Sequence, residues 1–94
     1  MATATFNGTV IAQSDDIEIV EGNAYFPIDA LDRQFVIESD HTTHCPWKGD
    51  AAYWDLVVDD ERATNAAWYY PEPKSGAEAV AGRVAFYPVV TVSR

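Results

Sequence analysis

Apolar and polar residues alternate along short segments of this chain, which is the pattern expected of β-strands with one buried face. In residues 53–58, "YWDLVV", alternation puts Trp54, Leu56 and Val58 on one face. Residues 17–20, "IEIV", alternate in the same way. These patterns predict strands whose apolar faces pack in a core.

Turn-forming residues separate the predicted strands at intervals typical of a β-sandwich or β-barrel. Connectors such as "DDE" at residues 59–61 are too short for a parallel crossover, so we expect antiparallel pairing. Two further segments, residues 27–34 and 75–82, carry helix start and stop signals and predict short helices of one or two turns. The predicted strands are residues 8–13, 17–20, 24–27, 35–39, 52–58, 63–70 and 83–92.

The length and composition of the chain limit the number of cores. It has 94 residues, of which 48% are hydrophobic and 22% are charged, as in an ordinary globular protein. A chain of this length has too little apolar surface for two separate cores. We therefore expect residues 1–94 to form a single domain that folds alone.

The net charge of -9 disfavours two classes of partner. Nucleic acids bind clustered cations and anionic membranes attract polybasic segments, and the sequence has neither. The longest apolar stretch, residues 84–92, is about half the length of a membrane span. The first residues, "MATATFNGTV", lack the features of a secretory signal, and a single cysteine forms no internal disulfide. We therefore expect a cytoplasmic protein.

Most of the reactive side chains lie in one segment, "HTTHCPWKGDAAYW" at residues 41–54. A cysteine thiolate becomes reactive beside cations or hydrogen-bond donors, so Cys45 is a candidate nucleophile or redox thiol. Adjacent side chains of an extended chain point in opposite directions, which makes His41 a better proton acceptor for Cys45 than His44. Lys48 is the candidate anchor for an anion.

Two other interpretations of the same segment remain open. A zinc site at His41, His44 and Cys45 is disfavoured because a structural site normally needs a second ligand pair, so we expect no metal. A purely structural loop is the other interpretation. It would be shaped by Pro46 and Gly49, covered by Trp47 and Trp54, and would bury Cys45 as a small apolar side chain.

Aromatic residues indicate where a ligand or a partner would bind. Alternation in "NAAWYYPEP", residues 65–73, puts Trp68 and Tyr70 on one face and Tyr69 on the other, so not all rings can enter one core. One set of rings is expected to line a surface pocket for a small molecule. The alternative is an aromatic interface in a homodimer. The candidate ligand-binding residues are Trp47, Tyr53, Trp54, Trp68 and Tyr69.

The sequence also resembles a known family. The segments at residues 41–54 and 65–73, with "YFPIDAL" at 25–31 and "GRVAFYPVV" at 82–90, are similar in order and spacing to the bacterial family called domain of unknown function 427. Trp47 and Tyr69 depart from the tyrosine and serine that are common in the family. The resemblance implies a compact, mainly β domain with two antiparallel sheets, of the β-tent or Mss4-like type, with one or two short helices.

The family is sometimes labelled a nucleotidyltransferase, an activity that needs metal-binding carboxylates, usually in an Asp-x-Asp pair. Here Asp29 and Asp32 stand three apart and no Gly-Ser element precedes them, so this function is the weakest of three hypotheses. The first hypothesis is a small-molecule-binding or enzymatic domain with an aromatic pocket beside Cys45. The second is a non-catalytic interaction or dimerisation module. The sequence indicates no particular cofactor.

Overall fold

A computed structural model describes residues 1–94 and contains nine β-strands. They form two antiparallel sheets, one of six strands in the order β3-β4-β8-β7-β6-β5 and one of three strands in the order β2-β1-β9. The mainly β, two-sheet architecture expected from the sequence is confirmed. The strands are β1 Ala2–Phe6, β2 Thr9–Ser14, β3 Glu18–Val20, β4 Asn23–Pro27, β5 Val36–Cys45, β6 Gly49–Val58, β7 Glu61–Tyr69, β8 Arg83–Phe86 and β9 Thr91–Ser93.

Apolar side chains cover both faces of the six-stranded sheet. The first cluster lies between the two sheets and contains Phe6 and Ile11 from one sheet and Trp54 and Leu56 from the other. The second cluster lies on the opposite face of the six-stranded sheet, where the segment 70–82 covers it. Its buried members are Tyr25, Ala51, Tyr53, Tyr70, Ala77, Val80 and Ala85. The predicted alternation along β6 is confirmed, because Trp54 belongs to the first cluster and Tyr53 to the second.

Short 3-10 turns occupy the two segments that were predicted to be helical. They are Ile28–Ala30, Arg33–Phe35 and Glu78–Val80, and none extends into an α-helix. Ala77 takes the cap position of the last turn. No helix is long and apolar enough to cross a membrane.

The segment considered as a structural loop is the end of a long β-hairpin. Strand β5 continues past the predicted end at residue 39 to Cys45, and the register pairs His44 with Asp50 and Cys45 with Gly49. We call residues 42–52 the tip hairpin. Only Pro46, Trp47 and Lys48 lie outside the paired strands.

The expected covering of this segment by two tryptophans is wrong for one of them. Trp54 is 3% exposed and stacks on Tyr69 inside the first cluster, with ring centroids 4.2 Å apart. Trp47 is 45% exposed and lies at the tip itself. Trp54 therefore does not cover the tip hairpin, whereas Trp47 lies at its tip.

Candidate functional site

Strand alternation divides the side chains of the tip hairpin between two faces. Thr43 and Cys45 face the second cluster: the Thr43 hydroxyl lies 2.9 Å from the Tyr53 hydroxyl, and Cys45 packs against the cluster. We call this side the closed face. Their neighbours His44 and Asp50, which are paired across the hairpin, lie on the other side, which we call the open face.

Lys48 is buried at the edge of the closed face. Only 6% of the residue is exposed, and its ammonium forms a salt bridge with Glu21 in the turn between β3 and β4. The ammonium also lies over two aromatic rings, 5.0 Å from the Trp47 centroid and 5.6 Å from the Tyr70 centroid. Lys48 thus pairs with an anion of the protein itself, and its predicted role as an anchor for a ligand anion stays a prediction.

The charges around Lys48 shift the titration of the groups on the closed face. Burial disfavours the ammonium, but the hydrogen bond to Glu21 and the neighbouring Tyr25, Tyr70 and Cys45 outweigh it, so the pKa of Lys48 is raised. The hydrogen bond from Lys48 holds the pKa of Glu21 below its usual value. Burial raises the pKa of Tyr70 to about 12, although the ammonium acts in the opposite direction. At neutral pH Lys48 and Glu21 are therefore both charged, and the Tyr70 hydroxyl is neutral.

The three residues predicted to act together are not assembled into one reaction centre. Cys45 lies close enough to Lys48 to influence its titration, but Glu21 already neutralises that ammonium. His41 is exposed, and its ring packs on Tyr53 with centroids 4.6 Å apart. The structure thus shows His41 in contact with Tyr53, and its role as a proton acceptor for Cys45 stays a prediction.

The predicted ligand-binding aromatic residues are likewise split between the two faces of the sheet. On the closed face Trp68 donates a hydrogen bond of 3.1 Å to the Tyr25 hydroxyl and lies 4.8 Å from the exposed ring of Tyr87. Trp54 and Tyr69 pack against the first cluster on the opposite face. None of the predicted site residues lines any of the three cavities of the molecule.

The largest cavity opens on the other side of the tip hairpin. We call it the tip cavity; its volume is about 270 Å³. Its walls come from the tip hairpin and from the segment that follows β7. Six residues line it: His44, Gly49, Asp50, Pro71, Glu72 and Lys74.

Polar side chains define the chemistry of the tip cavity. His44 Nδ1 lies 2.8 Å from a carboxylate oxygen of Asp50. The Lys74 ammonium donates a 2.9 Å hydrogen bond to the Pro46 carbonyl, which leaves two further N–H donors. No salt bridge of the chain involves Glu72. Two of the residues that line the cavity thus keep unused polar groups: Glu72 has no ion pair within the chain, and the Lys74 ammonium keeps spare donors.

Gly49 explains why the two walls of the tip cavity approach so closely. Its φ of +112° belongs to a region that favours glycine, and a Cβ at this position would lie 3.2 Å from the Glu72 carbonyl oxygen. The Lys74 amide donates a 2.9 Å hydrogen bond to the Lys48 carbonyl beside it. A side chain at residue 49 would push the segment 72–74 away from the tip hairpin.

Sequence reasoning missed the residues of the tip cavity. Alternation puts His44 on the face opposite Cys45, and the hairpin register pairs it with Asp50. A histidine and an aspartate separated by a short Pro- and Gly-containing turn were the usable signal. Glu72 and Lys74 gave none, since they adjoin the hairpin only through tertiary contacts. No group of three His, Cys, Asp or Glu side chains is placed to hold a metal ion.

Comparison with known proteins identifies the family of the chain. No curated protein matches this chain. The model of one family, described as a domain of unknown function (DUF427) and labelled NTP_transf_9, matches residues 1–93. Since the match covers nearly the whole chain, as the segments at 41–54 and 65–73 led us to expect, this protein belongs to the DUF427 family.

Proposed function

We propose that this protein binds a small polar molecule in the tip cavity. The observation that carries the proposal is the convergence of His44, Asp50, Glu72 and Lys74 on one cavity of about 270 Å³. Pockets for drug-sized ligands are typically about 300–1,000 Å³, so the tip cavity suits a ligand the size of an amino acid. This location replaces the aromatic pocket beside Cys45 as the preferred site.

The charges in the tip cavity favour a ligand with an amino group and a carbonyl or carboxylate oxygen. Glu72 has no salt bridge within the chain and can accept hydrogen bonds from a ligand ammonium. Lys74 is held in place by the Pro46 carbonyl and can donate to a ligand oxygen. The net charge of -9 also favours the approach of a cation.

The polar groups on the closed face support this choice, because their ion-pairing and hydrogen-bonding partners lie within the protein. Glu21 occupies the ammonium of Lys48, and the hydroxyl of Tyr53 pairs with that of Thr43. A ligand there would have to displace an internal ion pair. In the tip cavity it would meet side chains that keep open hydrogen-bonding positions.

A binding experiment with three related probes tests the proposal. Glycinamide carries an ammonium and a carbonyl, acetamide lacks the ammonium, and ethylammonium lacks the carbonyl. We expect glycinamide to bind most tightly, with a dissociation constant on the order of millimolar because the site is open and small. Ligand-observed NMR titration measures the three affinities.

Variants at two glutamates make the test specific. We expect Glu72→Gln to weaken glycinamide binding by about 2–5-fold, the range of an exposed ion pair. The matched control is Glu61→Gln, which removes an exposed glutamate of β7 that does not line the tip cavity and should leave binding unchanged. Equal affinity for glycinamide and acetamide, or no binding of any probe, would refute the proposal.

A further inference from the structure

His44 has the arrangement of a histidine prepared to accept a proton. Its Nδ1 lies 2.8 Å from the Asp50 carboxylate, which can only accept hydrogen bonds when ionised, so Nδ1 carries the hydrogen of the neutral ring. The lone pair is then on Nε2. Nε2 has no hydrogen-bond partner within the chain, which leaves it free for a molecule bound in the cavity that His44 lines.

The backbone holds His44 and Asp50 opposite each other, although their side chains are 60% and 82% exposed. His44 and Asp50 are directly opposed in the register of β5 and β6, and the next pair outward is Cys45 with Gly49. The turn beyond them is tied to the segment 72–74 by hydrogen bonds from the Lys74 amide and ammonium. The histidine thus sits on paired strands whose outer end is anchored, as positioning of a catalytic base requires.

We propose that His44 is the general base of a hydrolytic site in the tip cavity, acting on small esters that carry an amino group. This inference rests on the proposed function, since the substrate is the same class of ligand. Glu72 would bind the ammonium of the substrate. Lys74 would direct an N–H to the carbonyl oxygen, where negative charge develops during hydrolysis.

The reaction can be written for glycine methyl ester. His44 Nε2 takes a proton from water as the water oxygen bonds to the carbonyl carbon, and the carbonyl π electrons move to the oxygen beside Lys74. The C=O bond then re-forms, and the bond to the methoxy oxygen breaks. That oxygen takes the proton from the imidazolium, so the products are glycine and methanol and His44 returns to its neutral form.

Cys45 does not take part in this reaction. Its side chain packs against the second cluster on the closed face, whereas the side chains of His44 and Asp50 lie on the open face. No covalent intermediate on the thiol is therefore needed, and water is the nucleophile. Asp50 is a positioning residue, because it acts on the substrate only through the His44 ring.

Hydrolysis of glycine methyl ester, followed by proton NMR, tests this assignment in the full chain. We expect His44→Ala to lower kcat by about 10²–10⁴-fold, the usual contribution of a general base, with little change in KM. Added imidazole should partly restore the rate, since it can occupy the space of the missing ring. The matched control is His41→Ala, which removes the other histidine from outside the cavity and should keep the wild-type rate.

The outcomes separate this inference from the proposed function. If the wild-type protein binds glycinamide but hydrolyses the ester no faster than buffer, or if His44→Ala keeps the wild-type rate, His44 is not a base and the binding function stands. An equal loss of rate in His41→Ala and His44→Ala also overturns the assignment. If glycinamide does not bind, both proposals fail.

Discussion

His44 and Cys45 are adjacent in the chain, yet they lie on faces of the tip hairpin with opposite properties. On the closed face, Cys45 and Lys48 are packed among aromatic rings, and the one ammonium there is already paired with Glu21. On the open face, His44 lines a cavity with polar groups that keep free donors and acceptors. Reactive residues that are close in a sequence can therefore lie on different faces of a strand, and only those that share a face can form one site.

The largest expected difference between the faces is in stability. Lys48→Ala removes a buried side chain whose ammonium pairs with Glu21 and lies over the Trp47 and Tyr70 rings, and we expect the free energy of unfolding to fall by roughly 2–3 kcal/mol. Lys74→Ala is the matched control. It truncates an exposed lysine of the open face and removes only its hydrogen bond to the Pro46 carbonyl, so we expect a smaller loss of about 0.5–1.5 kcal/mol.

Urea unfolding followed by tryptophan fluorescence measures both variants. Equal losses of stability in Lys48→Ala and Lys74→Ala would mean that the two faces do not differ as described. A small loss in both would show that the buried lysine contributes little to holding the tip hairpin.

A smaller difference is expected in the response to acid. The hydrogen bond from Lys48 lowers the pKa of Glu21, so the pair stabilises the fold fully above the ordinary glutamate value of about 4.3. This contribution is lost as the pH falls through the lowered pKa of the folded state. The difference in Tm between wild type and Lys48→Met should therefore be constant from about pH 5 to 8 and shrink in stronger acid.

Thermal unfolding by circular dichroism at several pH values measures this difference. Lys74→Met is the control, because Lys74 donates to the Pro46 carbonyl and pairs with no carboxylate, so its effect should not change with pH in this range. A difference for Lys48→Met that stays constant down to pH 3, about one unit below the ordinary glutamate pKa, would contradict the role given to Glu21.

Most of the strands could be predicted from the sequence because alternate residues of a strand lie on opposite faces of the sheet. Alternation placed Trp54 and Leu56 in one cluster and Tyr53 in the other, as the structure shows. Strand β1 was missed because its buried positions include Ala2 and Ala4, which give a weak apolar signal. The extension of β5 was missed because its outer residues are polar and exposed on an edge strand.

The candidate site was less accessible to sequence reasoning for a different reason. Lys48 looks like a free cation in the sequence, and only the packing of the β3–β4 turn against it reveals Glu21 as its partner. The tip cavity requires the segment after β7 to return to the tip hairpin, a contact that spans more than twenty residues of chain. The sequence of a strand indicates which of its side chains share a face, but it does not indicate which distant segments pack against it.

We propose that ligands bind the open face of the tip hairpin and not the closed face. Titration of ¹⁵N-labelled protein with glycinamide, followed by amide chemical shifts, distinguishes the two faces. We expect the largest shifts at Gly49, Asp50, Glu72 and Lys74. Shifts confined to the closed face, at the Trp68 indole and its neighbours, would contradict it.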